Sequence, residues 1–143
     1  MAITSAATTT WNGDLATGSG RVALDNSGAA ELPVNWKARS EGSTTTTTPE
    51  ELLGAAHSAC FSMALSHALT GNGTPPTSLR TEAKVDFQPG VGISRSHLTV
   101  TAVVPGIADA DFLRLATEAK EGCPVSQALA GIEISLDASL SGE

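Results

Sequence analysis

The sequence predicts an α+β domain with a mainly antiparallel sheet, and three features carry that prediction. Several stretches alternate apolar and polar residues with the period of two that half-buried strands require. One long, largely apolar segment from Pro49 to Gly71 is bounded by helix start and stop signals. The order is strand, strand, (strand), helix, strand, strand, helix, strand, with hairpins rather than regular crossovers as the joining device. At 143 residues, 41% of them hydrophobic, the chain fits one domain over 1–143 with a single core.

"TTTWNGDLATGSGRVALD" alternates loosely at both ends around Gly-rich punctuation, which predicts two strands in a hairpin. "NSGAAELPVN" reads as loop broken by a short extended piece, before "WKARSEG". In the next segment Thr48 is the predicted N-cap, Pro49 takes the first helical position, and Glu51, three after the cap, completes a capping box. Gly71 and Gly73 stop that helix. Leu52, Leu53, Ala56, Ala59, Cys60, Met63 and Ala64 cover more than one of its faces, and its polar positions are mostly small serines. The helix is therefore expected at the centre of the fold, enclosed by protein.

After the turn signal "TPPTS", Leu79, Thr81, Ala83, Val85 and Phe87 fall on one side of a strand, as do Leu98, Val100, Ala102 and Val104 in the next, with "QPGVG" between them. "ADADFLRLATEAKEG" spaces Phe112, Leu115, Ala116 and Ala119 as an amphipathic helix capped by Asp109 and ended by Gly122. Pro124 suits the first turn of a further short helix, and "IEISLDASL" alternates as a closing strand.

Composition narrows the function. A net charge of −7 repels phosphate backbones, and 3% aromatic residues leave few platforms for stacking bases, so no nucleic-acid partner is expected. There is no Gly-rich phosphate loop in a strand–helix context, and no cofactor is expected. The N-terminal "MAITSAATTT" lacks a basic region followed by an apolar stretch, and no run approaches the roughly 20 apolar residues of a membrane helix. A soluble cytoplasmic protein with no membrane partner is the expectation. Two cysteines far apart do not make a disulfide framework, so burial, catalysis and redox use remain.

Cys60 lies in "GAAHSACFSMAL", where a thiol can serve simply as a small hydrophobe. Cys123 lies in Gly-Cys-Pro between two helices, where backbone N–H groups at a helix start favour the thiolate. Glu50 stands ten residues before Cys60, too far along the helix to touch it directly. A cation could link the two, and the loop upstream offers Arg39, with Lys37 close by. Arginine beside a cysteine lowers its pKa, and a glutamate can hold the guanidinium fork. His57, three before Cys60, is most simply a polar residue packed near the sheet or a partner chain. With Cys123 and His67 it could also complete a zinc site, and any of His57, His67 and His97 could act as base for a cysteine hydrolase. A small-ligand or lipid-binding domain with inert core cysteines is a non-enzymatic alternative. Trp11 and Trp36 read as packing residues.

"TPEELLGAAHSACFSMAL", "VPGI" and "EGCPVSQAL" together resemble the osmotically inducible protein C (OsmC) family, sister to the organic hydroperoxide resistance proteins. The resemblance runs nearly end to end and includes "WNGDLATGSG" and "RSEG". It implies an intertwined homodimer in which the sheet wraps a central buried helix, and a thiol peroxidase. On that resemblance Cys60 is the peroxidatic cysteine, Cys123 the resolving one, and Glu50 the arginine-holding glutamate. Arg39 resembles the family's arginine, and Arg21 in "SGRVAL" is a second candidate because the sister group carries its arginine near the first hairpin. Thr48 departs from the asparagine common there, but threonine also caps helices. The implied substrate is an organic hydroperoxide and the implied reductant a dithiol of the lipoyl type. Leu53, Phe61 and Met63 are the residues expected to hold the organic tail.

Overall fold

Residues 1–142 are described by a computed structural model. The first alternating stretches form the expected hairpin: β1 (Ala7–Asn12) pairs antiparallel with β2 (Ser19–Leu24), with Thr9 opposite Val22. The short extended piece is β3 (Glu31–Val34), antiparallel to the other edge of β2. Pro33 sits on that edge strand, where a residue without an N–H is tolerated. A helix that the sequence reading left unassigned follows, α1 (Trp36–Glu41), capped by the Asn35 side chain accepting from the Ala38 N–H at 2.7 Å. It ends at Gly42, whose φ of 86° suits a residue without a Cβ.

Helix α2 (Pro49–Gly71) starts where its signals place it, with Thr48 Oγ1 accepting from the Glu51 N–H at 3.0 Å. The Glu51 carboxylate accepts instead from the Thr47 hydroxyl at 2.5 Å, so the Thr48 half of the predicted capping box forms while the glutamate turns to the neighbouring threonine. Within the single chain the covering of this helix is one-sided. Burial follows a single stripe, Glu50, Gly54, His57, Phe61, Leu65 and Leu69, while Ala55, Ala56 and Ala59 are exposed and Met63 is 72% exposed. By length and composition α2 could cross a bilayer, yet its buried stripe belongs to a protein core.

Beyond it, β4 (Ser78–Gln88) and β5 (Gly92–Val103) form the second expected antiparallel pair. The alternation of β4 is reproduced residue by residue, with Leu79, Thr81, Ala83, Val85 and Phe87 turned to the covered side. Helix α3 (Asp109–Gly122) begins one residue earlier than predicted: Ala108 is the N-cap and makes no side-chain cap bond, while Asp109 and Asp111 place negative charge in the first turn. Then come α4 (Pro124–Ala128) and β6 (Glu133–Leu140).

The pairing of β6 corrects the expected connectivity. It runs parallel to β5, with Leu98 opposite Leu136, so α3 and α4 form a crossover rather than part of an antiparallel chain of hairpins. Alternation alone could not distinguish the two directions. The described residues thus form two three-stranded sheets, β1-β2-β3, wholly antiparallel, and β4-β5-β6, mixed.

Two compact units divide the chain within α2, Met1–Leu52 and Leu53–Glu143. In the second, Phe61, Leu65 and Leu69 of α2 cluster with Leu98, Val100 and Ala102 of β5, Phe112, Leu115, Ala116 and Ala119 of α3, and Cys123. Gly54 brings the helix close to β4, since a Cβ there would stand 2.9 Å from the Ala83 carbonyl oxygen.

Candidate active site

The fold brings the two cysteines together. Both are free thiols and they stand near one another; Cys60 is half-buried on α2, and Cys123, the residue before α4, is fully buried. Burial pushes the Cys60 thiol above its ordinary range, and the hydrogen bond to Cys123 pushes it the same way. Burial alone would also raise Cys123, but the Cys60 S–H, the amides of Ser126 and Val125 and the Ser126 hydroxyl outweigh it and draw that thiol down. The Cys123 side chain makes no cap hydrogen bond to α4, although its carbonyl accepts from the Gln127 N–H at 3.0 Å, so towards the thiol these amides act as oriented dipoles. The two thiols titrate as a pair, and the surroundings of Cys123 favour its thiolate more than those of Cys60 do.

His57 packs beside this pair and against the sheet. It is fully buried, with Nδ1 2.7 Å from Ser96 Oγ on β5 and Nε2 2.7 Å from Ser126 Oγ on α4. Burial holds its pKa below the usual histidine value, so the ring is neutral at neutral pH. Both ring nitrogens are occupied by serines, which removes the geometry a hydrolase base for Cys60 would need. Among the described residues no three His, Cys, Asp or Glu side chains converge as metal ligands. Sequence reasoning missed both serines. Ser96 was within reach, because it shares the parity of Leu98, Val100 and Ala102 and so had to face the core as a polar side chain.

A second polar centre forms where α1 faces the start of α2. Arg39 donates from Nε at 3.0 Å and from Nη2 at 2.8 Å to Oε1 of Glu50, whose side chain is only 7% exposed. Arg21, the other candidate, pairs with Glu31 across the β2–β3 ladder at 2.7 Å in an exposed position. Arg39 also borders an apolar recess of about 330 Å³ whose walls include Trp11, Leu15, Val22, Val34, Trp36 and Leu52. The residues expected to hold an organic tail do not share one space: Phe61 is sealed in the core, Met63 is exposed beside Ser66 and His67, and Leu53 is half-buried.

Comparison with known proteins bears on the chain as a whole. A family model described as OsmC-like protein matches residues 41–137. Peroxiredoxin OsmC of Escherichia coli (strain K12) is 43% identical over 130 residues, covering 89% of this chain and 90% of that protein. An organic hydroperoxide resistance protein from Elizabethkingia anophelis, crystallised with thiocyanate bound, superposes with a TM-score of 0.70 at 26% identity over 100% of this chain and 99% of that one. An OsmC-like protein from Mycoplasma pneumoniae has a TM-score of 0.76, over 99% and 100% of the two chains, at 15% identity, a likeness of fold.

Proposed function

The chain belongs to the OsmC-like family, and on that premise we propose that it is a thiol peroxidase that reduces organic hydroperoxides through Cys60 and Cys123. The observation that carries the reading is the meeting of two free thiols of unequal access, one half-buried and one sealed. Cys60 is the one a peroxide can reach. Its thiolate attacks the terminal oxygen of the hydroperoxide; an S–O bond forms, the O–O bond breaks, and the alkoxide leaves as alcohol after taking a proton. Cys123 then condenses with the Cys60 sulfenic acid to give a disulfide and water. An external dithiol, of lipoyl type in our reading, reopens it by exchange.

Cys60 attacks as its thiolate. On the family resemblance we assign the stabilisation of that thiolate, and of the charge developing on the departing oxygen, to Arg39 oriented by Glu50. The apolar recess beside Arg39 supports an organic tail as the recognised part of the substrate. Leu53 and Met63 remain candidates for further tail contacts. The exposed run Ala55, Ala56, Ala59 and Met63 supports a homodimer in which this face of α2 meets a second copy. A reducing, cytoplasmic setting fits a cycle that needs its disulfide reopened.

Consumption of cumene hydroperoxide at the expense of a dithiol, abolished in Cys60→Ser, tests the activity. Hydrogen peroxide turned over as fast as cumene hydroperoxide would overturn the organic preference.

A further inference from the structure

The reaction above makes no use of His57, although it is fully buried and hydrogen-bonded at both ring nitrogens. The ring joins Ser96 of β5 to Ser126, the third residue of α4, the short helix whose N-cap is Cys123, so the Ser126 hydroxyl stands one turn from that thiol and favours its thiolate. A neutral imidazole has one donor and one acceptor nitrogen, so the hydrogen bonds along this chain must run in a common direction. With the proton on Nδ1, the ring donates to Ser96 and accepts the Ser126 proton, and Ser126 presents only its oxygen to Cys123. That arrangement suits a thiol. With the proton on Nε2, the ring donates to Ser126, whose own proton is then free to point at Cys123. This one suits a thiolate.

We infer that His57 is a positioning residue for the resolving thiol: its tautomer, passed through Ser126, sets whether Cys123 faces a hydrogen-bond donor or an acceptor, and the Nε2–H form readies Cys123 to attack oxidised Cys60. In that attack the Sγ–Sγ bond forms and the Cys60 S–O bond breaks. The leaving hydroxide takes up the proton Cys123 had released and departs as water. The Cys60 sulfur is reduced and the Cys123 sulfur oxidised, both to the disulfide level, so no outside reductant or oxidant enters the step. The titratable groups facing the cluster are Cys60 and His57 from α2 and Cys123 before α4; β5 contributes the Ser96 hydroxyl and α4 the Ser126 hydroxyl and amide. Burial keeps the ring neutral, as the tautomer argument requires.

The role in disulfide formation rests on the peroxidase reading; the control of the Cys123 thiolate does not. In a Cys60→Ser background, ultraviolet thiolate absorbance against pH reads Cys123 alone. His57→Phe and Ser126→Ala are each expected to raise its pKa by about one unit, while His57→Gln, which can keep an N–H near the place of Nε2, stays closer to the parent. With both cysteines present, the Phe and Ala variants should hold the Cys60 sulfenic acid about tenfold longer before it disappears into the disulfide. A Cys123 pKa unchanged in Ser126→Ala, a variant that leaves His57 in place, overturns the proposal whether or not His57→Phe folds. Failure of every chain to form a sulfenic acid would count against the peroxidase reading alone, because the absorbance titration needs no peroxide.

Discussion

Arg39 directs two N–H groups, Nε and Nη2, at the same oxygen of Glu50, at 3.0 and 2.8 Å. The arrangement fixes the plane of the guanidinium on a carboxylate that is itself almost wholly buried. Lysine cannot reproduce that geometry, since its ammonium is a single point charge on a flexible stem. Arg39→Ala should therefore lower kcat/KM for an alkyl hydroperoxide by about a hundredfold, and Arg39→Lys should recover only part of the loss. Glu50→Gln keeps the shape but loses the charge that holds the arginine, and about a tenfold loss is expected. Steady-state peroxide consumption reads all three. An Arg39→Ala chain with undiminished kcat/KM would take this residue out of the chemistry and return attention to Arg21.

His57 also leaves a mark on stability. Its pKa is lowered by burial, from an unfolded value of about 6.5. Between that value and the lower folded one, the unfolded chain binds more protons than the folded chain, so stability falls as pH falls. Urea midpoints should be level above about pH 7 and decline below about pH 6.5, the histidine part of the slope reaching at most about 1.4 kcal/mol per pH unit. In His57→Phe the chain is less stable at neutral pH, and that part of the decline is missing. Equal pH slopes for the two proteins would show that the buried ring takes up its proton without cost.

Gly54 sets helix propensity against packing. Alanine is favoured over glycine inside a helix by about 1 kcal/mol, but its Cβ would stand 2.9 Å from the Ala83 carbonyl oxygen, a backbone atom that cannot rotate away. Forcing α2 and β4 apart costs roughly 1–3 kcal/mol. Gly54→Ala is accordingly expected to be destabilising by about 1 kcal/mol net, read as a lower urea midpoint with an unchanged slope. A stabilised variant would show that the contact has room to spare.

The exposed apolar face of α2 yields a test of assembly. Met63→Glu places a charge on a side chain that is 72% exposed in the single chain, so the folded chain itself should tolerate it. If that face meets a second copy, the charge is buried without a partner and the dimer dissociates. Sedimentation should find the parent at twice the chain mass and Met63→Glu at the chain mass. A parent that stays monomeric at every concentration would remove the dimer from the account.

Much of the fold could be read from local chemistry. Thr48, Pro49 and Glu51 marked the start of α2 because capping depends on neighbours in sequence, and the parity of β4 was legible for the same reason. Long-range arrangement was not. The alternation in β6 is the same for parallel and antiparallel pairing, so nothing local revealed its direction beside β5. Helix α1 escaped because its six residues are too few to display a helical period, although its Asn35 cap was visible in principle. In the site, the pairing of Arg39 with Glu50 was suggested by an upstream cation facing a helix-start glutamate, the approach of Cys60 to Cys123 entered through family resemblance, and the serines that hold His57 come from β5 and α4, far away in sequence. The even covering of α2 by small apolar residues was read as full enclosure, yet one side of it stands exposed in the single chain.

The central claim is that Cys60 takes the oxygen and Cys123 resolves it. Intact mass and thiol counting after one equivalent of cumene hydroperoxide, on the parent, Cys60→Ser and Cys123→Ser, test it most directly. The account predicts loss of two hydrogens and both thiols in the parent, a single oxygen adduct in Cys123→Ser, and no reaction in Cys60→Ser. Thiols left intact in all three would contradict it, and the chain would then be read as a small-ligand or lipid-binding domain whose cysteines only fill the core.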